Sequence, residues 1–191
     1  KMPAMSKGVE KGILKGLYKY SEGAKNKTHK AHIFGSGPIL REALGAQRGL
    51  EEYDVSADVW SVTSYKQLRT DALAVRRWNM LHPTSEPKKS YLETILEKEK
   101  GVFMAVSDYM KIIPDQIAPW IPGGLTTLGT DGFGRSDTRA NLRRFFEIDR
   151  EMIILATLYA LGEQGSMKKQ VVEKAIKDLK IDPEKVFPIC L

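Results

Sequence analysis

Arginine side chains gather where a glycine-rich turn runs into a helical pattern, and they are the residues best suited to bind an anion. Arg135, Ser136 and Arg139 stand around the start of a helix predicted over 137–146. The free N–H groups and positive dipole end of a helix start favour negative charge, and guanidinium groups bind phosphate or carboxylate with paired hydrogen bonds. These three residues are therefore the candidate anion-binding site.

The same arginines have a second interpretation, which we favour on their helical spacing. Arg139 and Arg143 can lie on a solvent or subunit face of the helix, with Arg143 paired to Glu147 one turn further on. Charges four residues apart on a helix are neighbours, so this pairing requires no ligand.

Polar residues also follow the predicted parallel strands, where ligands bind in doubly wound sheets. They include Ser36, Thr63, Ser64, Ser107, Asp108, Tyr109, Lys111, Thr130 and Asp131. A hydrolytic triad needs a histidine base beside its serine. However, His29, His32 and His82 fall before the first strand, inside it and in a proline-flanked loop. The sequence therefore predicts no catalytic residue.

Two glycine-rich turns imitate known motifs without completing them. The turn at 35–37 resembles a dinucleotide fingerprint, but its third glycine position is Leu40 and no acidic residue ends the next strand. The turn at 131–134 resembles the metal-binding tripeptide of kinases only superficially, because the other kinase signatures are missing. Neither turn predicts a cofactor site.

The elements that position these residues alternate between short β-rich runs and longer helical patterns, which is typical of an α/β fold with a mainly parallel sheet. The predicted strands are an edge strand near 17–22 and the runs 31–34, 57–62, 102–106 and 125–128. The predicted helices are 38–50, 65–78, 91–99, 109–120, 137–146, a helix after the N-cap Asp149, and 171–179, followed by one more turn at Asp182–Pro183. We expect a single domain over 1–191, with extra carboxy-terminal helices at about 167–187.

Composition limits the function classes further. The net charge of +6 arises from residues 1–30, which hold eight lysines against two glutamates, so the remaining chain is balanced. No nucleic-acid motif accompanies that charge, and no apolar run approaches the roughly 18 residues of a membrane span. The single cysteine, Cys190, fits a reducing compartment and has no base beside it. We expect a cytoplasmic protein that binds neither nucleic acid nor membrane.

Longer strings resemble one family. The segments 57–64 (ADVWSVTS), 77–83 (RWNMLHP), 107–111 (SDYMK) and 128–139 (LGTDGFGRSDTR) are similar to the homodimeric, bacterial pyruvate dehydrogenase first component. The match runs in the same order from about 2–5 (MPAM) to the end of the chain. The resemblance implies the carboxy-terminal, transketolase-like domain of that enzyme. It also implies a three-layer α/β/α sandwich around a five-stranded mixed sheet with one antiparallel edge strand.

The resemblance further implies a longer subunit, whose other domains bind thiamine diphosphate and magnesium and decarboxylate pyruvate. Its implied partners are those amino-terminal and middle domains, a second subunit of a homodimer, and a dihydrolipoamide acetyltransferase core. The family's Gly-Asp-Gly cofactor motif with its downstream asparagine does not occur in this sequence, and 130–132 (TDG) is not that motif. We therefore expect this chain to bind no cofactor and to be inactive alone. The alternative is that it serves the same enzyme as a regulatory module for a small anion.

Overall fold

The computed structural model describes residues 7–191, in which strands and helices alternate; the resemblance at 2–5 lies outside the described residues. The strands are β1 (Leu17–Ser21), β2 (His29–Ser36), β3 (Val55–Val62), β4 (Val102–Val106) and β5 (Thr126–Leu128). The helices are α1 (Glu10–Lys15), α2 (Leu40–Leu50), α3 (Tyr65–Leu81), α4 (Tyr91–Leu96), α5 (Ile112–Asp115), α6 (Arg139–Phe145), α7 (Arg150–Glu163) and α8 (Lys169–Asp178). Single 3-10 turns occupy Gly37–Ile39, Glu51–Tyr53, Ala118–Trp120 and Pro188–Cys190.

The five strands form one mixed sheet in the order β1-β3-β2-β4-β5. β2, β3, β4 and β5 are parallel, whereas β1 pairs antiparallel with β3 at one edge. The predicted five-stranded sheet with one antiparallel edge strand is confirmed. The register of β1 shifts between Lys19 and Ser21, so the edge strand carries an irregularity.

One face of the sheet packs against α2, α7 and α8. Strand residues such as Ile33, Val59 and Met104 point to this side and are fully buried. α7 is apolar on most of its surface, as is typical of a buried helix, and it places Ile153 and Leu158 against them. This face and its helices form the first layer of the core.

The opposite face packs against α3 and α4 and is more aromatic. Phe34 lies edge to face with Trp60 and with Phe103, at ring-centroid distances of 6.2 and 5.9 Å. Leu68 of α3 and Leu92 of α4 close over them. With helices on both faces, the predicted three-layer α/β/α sandwich is confirmed.

Helix starts follow the capping residues in the sequence. Asp149 accepts a hydrogen bond from the N–H of Met152 at 2.9 Å, so the predicted N-cap of α7 is confirmed. Ser90 and Glu93 form a reciprocal capping box at the start of α4. Such caps satisfy backbone N–H groups that have no partner within the helix.

The helix predicted over 109–120 is wrong. Only α5, of four residues, and the 3-10 turn Ala118–Trp120 form in that segment. Pro114 and Pro119 lack the N–H group that a continuing helix donates, and each disfavours helical geometry in the residue before it. The chain therefore turns twice and reaches β5 without a long crossover helix.

None of the helices within residues 7–191 has both the length and the apolar character needed to cross a membrane.

Candidate functional site

A hydrogen bond between two serine hydroxyl groups links the carboxyl ends of β2 and β4. Ser36, at the end of β2, donates to the hydroxyl of Ser107 after β4 at 3.1 Å. The Ser107 hydroxyl also accepts from the N–H of Tyr109, and its side chain is fully buried. A serine so occupied, with a second serine as its hydroxyl neighbour, lacks the base that a nucleophile requires.

A crevice of about 400 Å³ lies beside these serines, outside the ends of β2, β4 and β5. Its apolar lining comes from Pro38, Ile39, Leu142, Phe146 and Ile148, and its polar lining comes from Asp108, Thr130, Arg139 and Arg143. The helices after β2 and after β3 pack on opposite faces of the sheet, so the crevice lies at the position where ligands bind in doubly wound folds. It can accommodate a small molecule with an apolar body and one anionic group.

The predicted arginine cluster is divided among separate neighbours. Arg139 lines the crevice, whereas the guanidinium of Arg135 lies 4.7 Å from the centroid of the Phe145 ring. Ser136 is exposed in the loop between them. Arg144 is paired with Asp149 at 3.2 Å. The structure therefore brings Arg139 to the crevice and directs Arg135 and Arg144 elsewhere.

The predicted pairing of Arg143 with Glu147 is wrong. Arg143 binds Glu42 of α2 at 2.6 Å, and Glu147 binds Lys185 at 3.3 Å instead. Glu147 lies beyond the end of α6 with a φ of +61°, so its side chain is not one helical turn from Arg143. Arg143 thus fastens α6 to α2 across the first layer.

Two glycines of the 128–139 string allow three segments to approach one another. A Cβ on Gly129 would lie 2.6 Å from the carbonyl oxygen of Tyr109. On Gly132, whose φ is +106°, a Cβ would lie 2.6 Å from the carbonyl oxygen of Pro188. Real side chains do not reach such distances, and the left-handed φ itself favours glycine. The glycines of this turn, which belong to the string that resembles the family, are therefore required for close packing.

The amino half of the sheet carries a second polar group, which we call the Asp58 cluster: Lys19, Lys30, His32, Asp58 and Glu99. Asp58 is nearly buried and accepts from Lys30 at 2.5 Å, from Lys19 at 2.9 Å and from the N–H of Gly23 at 2.8 Å. Burial alone would raise the pKa of Asp58, but the hydrogen bonds from Lys30, Gly23 and Lys19 lower it to about 2. The carboxylate is held in its charged form.

His32 lies fully buried inside β2, and both of its ring nitrogens are engaged. Nδ1 accepts from the indole N–H of Trp60 at 3.3 Å, so Nε2 carries the proton and donates to the carbonyl oxygen of Lys100 at 3.0 Å. Burial lowers the pKa of His32, although Glu99 and Asp58 lie close by. His32 is a neutral core residue, which leaves no free nitrogen for base catalysis.

Three side chains of the Asp58 cluster, His32, Asp58 and Glu99, have potential metal-ligand atoms within 4.8 Å of one another. Among residues 7–191, this is the one such group. The ammonium group of Lys19 bridges the carboxylates of Asp58 and Glu99 at 2.9 and 2.8 Å. It already supplies the positive charge there, and magnesium prefers oxygen ligands in octahedral geometry. The donor set therefore does not fit the magnesium of a thiamine diphosphate site.

Sequence reasoning missed this cluster. It treated the lysines of residues 1–30 as an exposed charge excess, whereas Lys19 and Lys30 pair with a buried carboxylate. The available signal was Asp58, an acidic residue in an otherwise apolar run, since a buried charge needs partners of opposite sign.

The chain is similar to one family of domains and to several proteins that share one name. Residues 16–149 match the model of the family described as the transketolase-like TK C-terminal domain. The chain is 49% identical over 189 residues to the pyruvate dehydrogenase E1 component of Pseudomonas aeruginosa, covering 98% of this chain and 21% of that protein. It is 43% identical to the protein of that name from Escherichia coli K12, with the same coverage, and 42% identical to that from Mycobacterium tuberculosis, covering 93% and 19%. The chain thus spans about a fifth of the length of these relatives.

Solved structures agree on the fold. A transketolase from Pichia stipitis aligns with a TM-score of 0.56 at 18% identity, covering 83% of this chain and 20% of that one. Transketolase from Leishmania mexicana aligns with a TM-score of 0.57 at 14% identity, covering 80% and 19%.

Proposed function

The chain belongs to the transketolase-like TK C-terminal domain family, and from that premise we propose that it is the carboxy-terminal assembly domain of a pyruvate dehydrogenase E1 subunit. The observation that carries the proposal is the 49% identity extending over 98% of the chain to a protein about five times longer. In this proposal the chain contributes packing surface, and the reaction takes place in the other domains.

The proposed parent reaction is the oxidative decarboxylation of pyruvate and the transfer of the acetyl group to a lipoyl group. The proposal places thiamine diphosphate and magnesium, which would supply the chemistry of decarboxylation, in the remaining domains. Two observations support this placement: the 128–139 string lacks a Gly-Asp-Gly motif, and Lys19 occupies the cation position of the Asp58 cluster. No residue of this chain is assigned a step in the reaction.

The proposed partners are the amino-terminal and middle domains of the same subunit, a second subunit of a homodimer, and the dihydrolipoamide acetyltransferase core. The proposed location is the cytoplasm, which suits a single unpartnered cysteine near the carboxy terminus. No nucleic-acid or membrane partner is included.

The test is a comparison of the full parent subunit with a version that lacks the residues equivalent to 1–191. Light scattering gives the oligomeric state, and pyruvate turnover with thiamine diphosphate and magnesium gives the activity. We expect the shortened subunit to lose the dimer, the activity or both. A shortened subunit that is dimeric and fully active would contradict the assembly role.

A matched measurement tests the placement of the cofactor. Calorimetry of this chain against thiamine diphosphate with magnesium should give no binding heat, and the same sample should not consume pyruvate. Tight binding or turnover would show that a site had been overlooked, and the loops around Asp108, Asp131 and Arg135 would then be the first to examine.

A second candidate function is a regulatory anion site in the same enzyme, favoured by one observation. The crevice at the carboxyl edge combines an apolar lining with the guanidinium of Arg139. Of the three residues predicted from the sequence, Arg139 alone lines the crevice; Arg135 and Ser136 lie in the preceding loop, with Arg135 against the Phe145 ring. Such a site suits a carboxylate or phosphate attached to an apolar group.

Thermal shifts with phosphate, nucleotides and acyl-coenzyme A test this candidate. A ligand that binds should raise the melting temperature of the protein, and Arg139→Gln should abolish the shift. Arg76→Gln on the exposed side of α3 is the matched control and should keep it. Equal shifts in both variants would refute the role of Arg139.

A further inference from the structure

Exposed apolar side chains are concentrated at one end of the molecule. Among residues 7–191, eight of the thirteen large apolar side chains that are exposed lie in 109–112, at 133 and in 186–191. Their most exposed members are Tyr109 and Phe133, at 66% and 81%. We call the surface formed by these three segments the carboxyl-edge surface.

Direct contacts make the three segments one continuous surface. The N–H of Thr130 donates to the carbonyl oxygen of Tyr109 at 2.9 Å, which joins the first segment to the glycine-rich turn. Gly132 packs against Pro188, as its missing side chain permits, and the ammonium of Lys111 lies 4.9 Å from the centroid of the Phe187 ring. The exposed rings therefore sit on segments fixed to one another.

The exposed aromatic area of this surface is comparable to the largest apolar patch of a typical monomeric protein. With about 200 Å² of surface per aromatic side chain, the exposed parts of Tyr109, Phe133 and Phe187 amount to roughly 400 Å². The largest apolar patch on a protein surface is often functional. Phe133 also stands beside Gly134, where an added Cβ would meet no described atom within 4 Å. The surface is open, with space beside its most exposed ring.

We infer that the carboxyl-edge surface is the interface against which the other domains of the parent subunit pack. This inference rests on the proposed function and adds to it the face through which the domain is held. About four-fifths of the length of the matched relatives lies outside the region that this chain matches, so the proposed parent subunit would hold a large partner within the same polypeptide. Covering an apolar surface is favourable in water, whereas the Asp58 cluster at the amino half of the sheet already has its charges paired internally.

Hydroxyl-radical footprinting of the full parent subunit tests the inference, because methionine and aromatic side chains give the strongest signals. Met110 lies in the carboxyl-edge surface, and Met80, equally a methionine and also exposed, lies at the end of α3 outside it. With the denatured subunit as reference, we expect the labelling of Met110 and Phe133 to fall about tenfold, as for side chains in an interface core. The labelling of Met80 should stay within about twofold of its value in the denatured subunit, because this side chain should remain exposed.

A pair of variants of the full subunit tests the contact itself. Phe133→Asp changes an 81% exposed ring, and Leu14→Asp changes a side chain that is 80% exposed on α1. Neither side chain belongs to the packed layers of this domain. We expect Phe133→Asp to raise the rate at which trypsin separates the domain by about tenfold, as loss of a buried aromatic anchor does, and Leu14→Asp to leave it unchanged.

Each contrary outcome overturns the inference in a defined way. Full labelling of Phe133, or protection of Met80 equal to that of Met110, removes the carboxyl-edge surface as that interface. Protection that begins only when the acetyltransferase core is added assigns the surface to that partner instead. Light scattering and pyruvate turnover on the same samples separate these results from failure of the proposed function, since a dimeric, active subunit with accessible Phe133 contradicts only the choice of surface.

Discussion

Replacing Asp58 with asparagine should lower the free energy of unfolding at neutral pH by about 2 kcal/mol. The pKa of Asp58 falls from an ordinary value of 3.8 to about 2 in the folded protein. Each unit of pKa corresponds to about 1.4 kcal/mol of differential stability. Because the side chain is only 4% exposed, solvent does not screen this interaction appreciably. Lys19 keeps Glu99 as a partner, so the variant does not leave a fully isolated buried charge.

The sign of the pH dependence follows from the lowered pKa. A carboxyl group whose folded pKa is depressed stabilises the protein above its unfolded pKa, and this contribution is lost as the pH falls through the folded value. The difference between the parent protein and Asp58→Asn should therefore be largest above about pH 5. Near pH 2, only a small part of this stability difference should remain.

Urea unfolding followed by circular dichroism at pH 7, 5 and 2.5 measures this difference. At neutral pH the variant should also melt about 4–8 °C lower, as expected for a chain of this length. Asp108→Asn is the control, since Asp108 is exposed, and should change the free energy by less than about 0.5 kcal/mol. If the two proteins lose stability in parallel between pH 5 and 2.5, the account of the Asp58 cluster is refuted.

Three further outcomes are expected. Gly132→Ala should lower the free energy of unfolding by about 1–3 kcal/mol, because of its positive φ and the nearby Pro188 carbonyl oxygen, whereas Gly134→Ala should be neutral; equal urea midpoints for the two would contradict this. Tyr65→Phe should keep or raise stability by up to about 1 kcal/mol, since the buried Tyr65 hydroxyl has no hydrogen-bond partner within residues 7–191, and a clear loss in calorimetry would reveal one. His32 should stay neutral with its proton on Nε2 below the ordinary pKa of about 6.5, so stability falls as the pH drops through that value and the unfolded ring takes up a proton; nitrogen chemical shifts showing imidazolium at pH 6 would disprove it.

Local sequence signals predicted most of the fold because they act within a few residues. Asp149 stands before an apolar helical pattern, and it caps α7. The apolar run 102–106 became a strand buried throughout. The failed helix over 109–120 shows the limit of periodicity, because apolar spacing there competed with two prolines and lost.

The side-chain networks could not be predicted because their members are distant in sequence. Arg143 finds Glu42 across 101 positions, although Glu147 is only four residues away. Lys19 and Asp58 meet only because β1 folds back antiparallel beside β3. Strand order and register determine such contacts, and the sequence pattern of a single segment specifies neither. The carboxyl-edge location of the crevice was predictable, since the parallel sheet itself determines it.

Both borders of the sheet are poor templates for another strand. β5 offers only three residues on its outer side, and β1 is short and interrupted by the register shift after Lys19. Short, irregular outer strands discourage the backbone pairing that leads to fibrils. A domain released from a damaged or incompletely folded subunit is thereby protected from aggregation by strand addition. Any lasting association it forms must rely on matching side chains, which restricts it to partners with a complementary shape.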